Sequence, residues 1–384
     1  MAGVPWHILT GEYPPRPGGV SDYSAHLAGG LARAGAEVHV WAPAAENEGP
    51  APAVEGVVVH RLTGGWSRAS LARLGEALDA FAPPRRLLVQ YTPGAWGRKG
   101  LNLGFCRWLV EQGRRDDVRL MFHEVCYPWR LRDKPTRWLL AAGQRWMART
   151  LLKAGSTVYI SIPEWEPLLR AAGLRDERPV VWLPVPSTVP EAANVGEVAA
   201  LRRRLAPAGQ TVVGSFGTYG AAIGGMLAEV LPQLLGGRDG RVGILIGRGS
   251  ETFAARLRAA HPVLAGRLIA TGGLPPEDVS RHLQACDLLV QPYPDGVSSR
   301  RTTVMAGLAH GRPVATTAGP LTEPVWSETG AVALAPVAEP GGLARLAEAL
   351  LADPEARARL AAAARLTYEQ LFALERTVVA LLRA

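Results

Sequence analysis

The stretch WHILTGEYPPRPGGVSDYSAHLAGGLARAGAEVHVWAP, residues 6–43, decides the fold. An apolar run, Trp6–Thr10, ends in a turn rich in Pro and Gly. A helix-period segment, Ser21–Ala34, then leads to a second apolar run, Glu37–Ala42. Strand, tight turn, helix and strand make a βαβ unit. A helix entered through Gly18 and Gly19 begins with amide N–H groups that have no intrahelical partner, and such a terminus receives anions. A counterpart, QPYPDGVSSRRTT, residues 291–303, directly follows the apolar run Leu288–Val290. Two such turns in one chain point to a phosphorylated ligand held between two α/β halves.

The alternation continues from end to end. Further strands are expected at Gly56–Leu62, Arg86–Tyr91, Val118–His123 and Thr157–Ser161. The second half supplies Thr211–Phe216, Val242–Ile246, Arg267–Thr271, Asp287–Gln291, Pro313–Thr317 and Ala331–Leu334. Helix-period segments lie between them, among them Gly100–Gln112, Ala222–Leu235 and Pro276–Ala285. Continuous apolar strands separated by helices mean parallel sheets covered on both faces. The proline-rich segment Leu183–Glu191 is a stiff connection, which places an N-terminal domain at 1–186 and a C-terminal domain at 187–384. The tail from Asp353 reads as two helices, the last of which, about 368–384, can cross back to the first domain. Open parallel sheets bind ligands at the carboxyl ends of their strands, so the site is expected in a cleft where two such edges face each other.

At 384 residues the chain is longer than one compact domain usually is. No apolar run reaches the roughly 18 residues of a membrane span, and the first residues lack a basic region followed by an apolar core. Three cysteines, Cys106, Cys126 and Cys286, are too few and too dispersed for a disulfide framework or a thiolate zinc site. A cytoplasmic protein is expected. The net charge of +8 is carried almost wholly by arginine, since lysine occurs only at positions 99, 134 and 153. Codon bias accounts for that simply; acidic ligands or an anionic membrane surface, at the inner face of the membrane, are the functional readings. Scattered arginines without a helix-turn-helix, zinc-finger or RNA-binding signature argue against nucleic acid. The segment Tyr127–Lys153 interleaves Trp with Arg, as in helices that lie in a membrane interface, although a domain helix with snorkelling arginines fits the same pattern.

From Ile8 to Pro43, and again through IGRG (246–249), ACDLLVQPYP (285–294) and MAGLAHGRPVATT (305–317), the chain resembles retaining glycosyltransferases of family 4. The motifs occur in order over nearly the whole length. That resemblance implies an α/β protein of the GT-B fold, two Rossmann-like doubly wound parallel-sheet domains facing a central cleft. It implies transfer of a sugar, with retention, from a UDP- or GDP-linked donor to a saccharide, lipid-linked or small-molecule acceptor. The donor would sit on the second domain and the acceptor mainly on the first. No cofactor is expected, because the nucleotide sugar is a co-substrate, and no metal, because no D-x-D pair is present.

Two features depart from the family pattern. Its paired glutamates would fall at Ser298 and Ala306, neither acidic, with Asp295 the nearest carboxylate. The basic pair usual after the first strand of the donor domain is missing from GSFGTYGAAIGG (214–225). Arg300 and Arg301, read as lying in the first turn of a helix opening at Ser298, oppose the helix dipole unless an anion binds there. They are the expected diphosphate ligands, with Ser298, Ser299 and Thr302 supplying N–H and hydroxyl groups. Loss of the glutamates also admits a non-catalytic nucleotide-sugar binder. A Rossmann dehydrogenase is disfavoured, since no G-x-G-x-x-G follows the first strand.

The remaining candidates follow from strand ends. Gly18 and Gly19 allow close approach of a phosphate or sugar. His123, whose family counterpart contacts the donor sugar, is expected to titrate near neutrality and donate to a hydroxyl, with Glu124 beside it. Asp295 and His123 are the catalytic candidates. Gly217, Thr218 and Tyr219 leave room for donor phosphates, and Arg248 reaches base or phosphate. Tyr91, Trp96 and Arg98, with Lys99, form an acceptor wall in which the aromatic faces stack on sugar rings; hydrophobic packing is the competing role for Trp96. Glu323 stands where the family often has an acidic residue.

Overall fold

The computed structural model describes residues 4–44, 53–83, 85–97, 100–129, 134–191, 194–237 and 240–383. The chain divides into two compact units. One comprises the chain up to Pro184 together with Leu374 onward, the other Val185–Ala373.

In the first unit the strands are β1 (Trp6–Thr10), β2 (Val38–Pro43), β3 (Val57–Leu62), β4 (Arg86–Tyr91), β5 (Asp117–Phe122), β6 (Thr157–Ile160) and β7 (Val180–Trp182). They form one sheet in the order β3-β2-β1-β4-β5-β6-β7, every pair parallel. Strands β1 and β5 are almost completely buried, as expected where helices cover both faces. The helices are α1 (Gly19–Arg33), α2 (Arg68–Leu78), α3 (Leu103–Gln112), α4 (Pro135–Ala154) and α5 (Trp165–Ala171). Strand β7, short and only half-buried, was not anticipated; its three residues carry too little apolar periodicity to register.

The second unit repeats the plan. Strands β8 (Thr211–Phe216), β9 (Arg241–Ile246), β10 (Leu268–Ala270), β11 (Leu288–Gln291), β12 (Val314–Ala318) and β13 (Ala333–Pro336) lie in the order β10-β9-β8-β11-β12-β13, again all parallel. Its helices are α6 (Val195–Leu205), α7 (Ala221–Leu235), α8 (Ser250–Ala260), α9 (Pro276–Gln284), α10 (Thr302–Ala309), α11 (Val325–Thr329), α12 (Gly342–Ala352) and α13 (Pro354–Thr367). A single π-helical turn, Tyr368–Phe372, ends it.

The last helix, α14 (Leu374–Arg383), packs in the first unit against α1. Gly30 makes this approach possible: a Cβ there would come within 2.9 Å of Leu374 and 3.0 Å of Val378. Arg119 on β5 closes the far end by donating from Nη1 to the Leu381 carbonyl at 2.8 Å, a cation on a helix carboxyl terminus.

Each sheet reverses its strand order between its first and fourth strands, at β1/β4 and at β8/β11. The crevice outside those carboxyl ends is where doubly wound sheets hold ligands.

Candidate functional site

In the first unit the crevice is floored by His123, Gln90 and Tyr23. His123 follows β5, is buried, and faces Gln90 at the end of β4, with Nε2 2.8 Å from the amide oxygen. An oxygen acceptor fixes the proton on Nε2 and leaves Nδ1 as an acceptor. Tyr23 of α1 meets the imidazole edge-on, ring centroids 4.8 Å apart. Burial pushes the His123 pKa down to about 3. The expected near-neutral titration is therefore corrected: the ring is neutral throughout the physiological range and its N–H is committed to Gln90, so it can accept a hydrogen bond but not donate one.

Gly18 is the N-cap of α1 in an extended conformation, φ 176°, that any residue can adopt. Its constraint is steric, because a Cβ would lie 2.6 Å from the Glu12 carboxylate. Nothing stands within 4 Å of a Cβ built on Gly19, so the first turn of α1 is open. The acceptor wall is corrected. Trp96 is completely buried, stacked on Phe105 at 4.1 Å and tilted against Trp66 at 4.6 Å. Tyr91 is equally buried against Phe122. Both rings are core, and neither face is available to a sugar. Arg98 and Lys99 lie outside the described residues; Glu124 is exposed.

In the second unit β8 and β11 pair only through Leu288 and Leu289 and then part. The Gln291 side chain fills the gap: its amide nitrogen donates to the Phe216 carbonyl at 3.0 Å, and its oxygen lies 3.3 Å from the Ser215 hydroxyl. The loop after β8 contains Gly217, Thr218 and Tyr219. Tyr219 holds a left-handed backbone, φ 55°, and its hydroxyl donates inward to the carbonyls of Ser215 (2.6 Å) and Ile246 (3.0 Å) while the ring stacks on Phe253. The side chain shapes the loop, which corrects its reading as a donor ligand. Gly247 must be glycine: at φ 111° a Cβ would meet the Gly217 carbonyl oxygen at 2.4 Å. Helix α7 opens at Gly220 with no side-chain cap, so its first N–H groups are unsatisfied by the cap residue. Arg248 projects nearby, exposed.

The turn after β11 runs from Tyr293 to Thr302. Helix α10 starts at Thr302, with Arg301 as N-cap, four residues later than expected; Ser298–Arg301 forms a tight turn instead. Arg300 Nη2 lies 2.8 Å from Asp295 Oδ2, and Arg301 Nη2 lies 2.5 Å from Asp295 Oδ1. Arg301 also covers the Tyr293 ring, 4.6 Å from its centroid. The dipole conflict is thus relieved within the chain by Asp295. Ser298 is buried. Ser299 is corrected: its N–H (2.8 Å) and O–H (2.5 Å) both go to Oε1 of buried Glu323, so neither faces a ligand.

Residues 18–185 match the glycosyl transferase 4-like domain, and residues 211–353 match the glycosyl transferases group 1 domain. Between them the two cover most of the chain. It is a GT-B glycosyltransferase. Solved structures agree over the full length. HepE of Anabaena, crystallised with UDP and glucose, superposes with a TM-score of 0.71 at 16% identity, covering 99% of each chain. Sucrose-phosphate synthase of Thermosynechococcus elongatus gives 0.69 at 18% identity, covering 99% of this chain and 98% of that one. A glycosyltransferase of Rickettsia africae gives 0.73 at 13%, covering 99% and 97%. No curated protein matches the sequence.

The glycosyltransferase therefore brings together, in its second unit, Arg248, the Gly217–Thr218 loop and the Asp295–Arg300–Arg301 cluster at one sheet edge. In its first unit it aligns Gly18, Gly19 and His123. Sequence reasoning missed Gln291 and the capping role of Glu323. A signal for Gln90 and Gln291 existed: LLVQ forms residues 87–90 of β4 and 288–291 of β11, the fourth strand of each sheet. Among the described residues, no group of three or more His, Cys, Asp or Glu is placed to hold a metal ion.

Proposed function

We propose that this glycosyltransferase moves a sugar from a UDP- or GDP-linked donor to a saccharide, lipid-linked or small-molecule acceptor, with retention and without a metal ion. The observation that carries the reading is the cation pair Arg300–Arg301 beside the start of α10, at the β8/β11 switch point. Two guanidinium groups and the free amides of α7 supply what a departing diphosphate needs, which is charge stabilisation from preorganised donors. Fixed guanidinium forks then take the place of a divalent ion. His123, held neutral, accepts a hydroxyl of the transferring sugar at Nδ1 and orients it. Asp295 holds the arginines until the diphosphate replaces it.

The test is titration of the protein with UDP, GDP, ADP and their glucose conjugates, with and without Mg²⁺, followed by calorimetry. One nucleotide should bind selectively and equally well in EDTA. Binding with donor never consumed, across a broad acceptor panel, would favour the non-catalytic alternative; no binding to any nucleotide would end both readings.

Membrane association belongs to the same proposal. Helix α4 contains no acidic residue, and its outer face presents Trp138, Ala142, Trp146, Arg149 and Lys153 at helical spacing, all exposed. Trp129 and Leu139, with 57% and 74% exposure, extend the apolar patch. The inner face, with Met147, Ala148 and Leu151, is core. Aromatic rings and cations with no anion among them suit an anionic bilayer surface. Among the described residues no helix is long and apolar enough to cross a membrane, so attachment would be peripheral, at the cytoplasmic face where nucleotide sugars are available. Vesicles containing phosphatidylglycerol should sediment the protein, and phosphatidylcholine vesicles should not. Trp138→Ser with Trp146→Ser should release it; sedimentation independent of lipid charge and of both tryptophans would sink the idea.

A further inference from the structure

A cavity of about 560 Å³ opens in the first unit at the carboxyl ends of β1 to β4. Its volume suits a ligand of sugar or disaccharide size. Three chain segments supply its polar lining: Glu12 and Arg16 after β1, Trp66 ahead of α2 with Arg68 at its first position, and Asn102 at the start of α3. Asn102 is committed, capping α3 through Phe105 N–H and donating to the Trp66 carbonyl at 2.9 Å. The others are not. Trp66 is 6% exposed, and its indole N–H is buried without a hydrogen-bond partner. Such a group is costly unless something accepts from it. Arg16 and Arg68 make no ion pair or side-chain hydrogen bond among the described residues, although most arginines of this chain do. Arg68 is also the first residue of α2, whose cap, Ser67, satisfies only the Ser70 amide. The amides of Arg68 and Ala69 therefore remain as donors beside the guanidinium groups.

Donors dominate this surface, and the one carboxylate, Glu12, lies on the β1 side. A neutral saccharide brings hydroxyls that would leave two guanidinium charges uncompensated. A saccharide with an anionic substituent meets both requirements: hydroxyls donate to Glu12, while the anion takes Arg16, Arg68 and the α2 amides. We infer that the acceptor bound here carries a phosphate or carboxylate group. The inference rests on the transferase reading above and narrows its acceptor class.

The test uses the full-length protein and glucose, glucose 6-phosphate, glucuronate and inorganic phosphate as probes, each titrated calorimetrically. At least one anionic sugar should bind 10-fold or more tightly than glucose, and more tightly than phosphate alone. Phosphate against carboxylate preference then separates a phosphate ester from a uronic acid. In Arg16→Gln/Arg68→Gln the advantage over glucose should vanish while nucleotide affinity stays unchanged. Both arginines are exposed and unpaired among the described residues, so the variant should fold as the parent does. Equal binding of glucose and the anionic sugars, no binding of any anionic sugar at 10 mM (roughly the weakest affinity of interest), or a preference surviving in the variant overturns the inference. Nucleotide titration of the same samples shows separately whether the donor reading has failed.

Discussion

Replacing Arg300 and Arg301 together by alanine will weaken nucleoside diphosphate binding roughly 100-fold, with little change in stability. Hydrogen bonds from a charged group contribute about 1.5–3 kcal/mol each, so two guanidinium groups on one diphosphate would contribute about 3–6 kcal/mol. Part of that is offset, because both arginines already bond Asp295 at 2.8 and 2.5 Å and must exchange one anion for another. The low end of the range, near two decades of affinity at about 1.4 kcal/mol per decade, is therefore expected. Asp295→Asn should act in the opposite direction and tighten nucleotide binding, since the competing charge is gone. If Asp295 also acts in the chemistry, turnover falls in that variant while affinity rises. Unchanged nucleotide affinity in the double alanine variant overturns the assignment of the diphosphate site.

Much of this architecture is legible in the sequence because parallel strands buried on both faces leave a strong trace. Runs such as Arg86–Tyr91 and Thr211–Phe216 coincide with the observed strands residue for residue, and most others differ by one or two positions at their ends. The strand that escaped, Val180–Trp182, is the sheet edge, where burial is partial and the pattern correspondingly faint. Helix starts were less legible where glycine, serine and arginine mix. The segment Gly296–Arg301 contains no residue that forbids helix; the Val297 N–H on the Thr317 carbonyl at 2.8 Å and the Ser299 N–H on the carboxylate of Glu323, 24 positions away in sequence, hold the backbone in a turn instead.

Where the candidate residues lie in the fold was legible, and what their side chains do there was less so. Gly18, Gly217 and Asp295 fall at sheet edges because a βα turn fixes where they must be. What a side chain does there depends on burial, which single-residue identity does not encode. His123 looked like a group titrating at neutral pH, yet the apolar surroundings that make β5 a strand also keep its imidazole uncharged. Trp96 looked like a sugar platform, yet Trp66, 30 positions earlier, covers it. Tyr219 likewise spends its hydroxyl on two carbonyls that the sequence could not have placed beside it.

Glu323→Ala should lower the melting temperature of the second unit by about 10 °C. Its carboxylate is 2% exposed and accepts from Ser299 N–H, Ser299 O–H and Trp326 indole N–H, at 2.8, 2.5 and 2.6 Å. Alanine leaves those donors buried without an acceptor. At about 1–3 kcal/mol for each stranded group, with partial relaxation, a loss of roughly 3–5 kcal/mol follows, and a domain of this size loses about 2–4 °C per kcal/mol. The pH dependence has a definite sign. Burial raises the carboxyl pKa above its ordinary 4.5, so the folded state retains a proton that the unfolded state has already released. Stability is then fullest below the unfolded pKa, declines as pH rises from there through the folded pKa, and is level above it. Glu323→Gln carries no titrating group, so the stability of the wild type relative to that variant should be greatest in acid and shrink across the same window. Calorimetric melting of the three proteins from pH 4 to pH 8 measures both effects. An alanine variant that melts within a degree or two of the wild type would show that the Ser298–Arg301 turn holds itself together. A wild-type-to-glutamine difference that does not move with pH would show that Glu323 titrates alike in the folded and unfolded states.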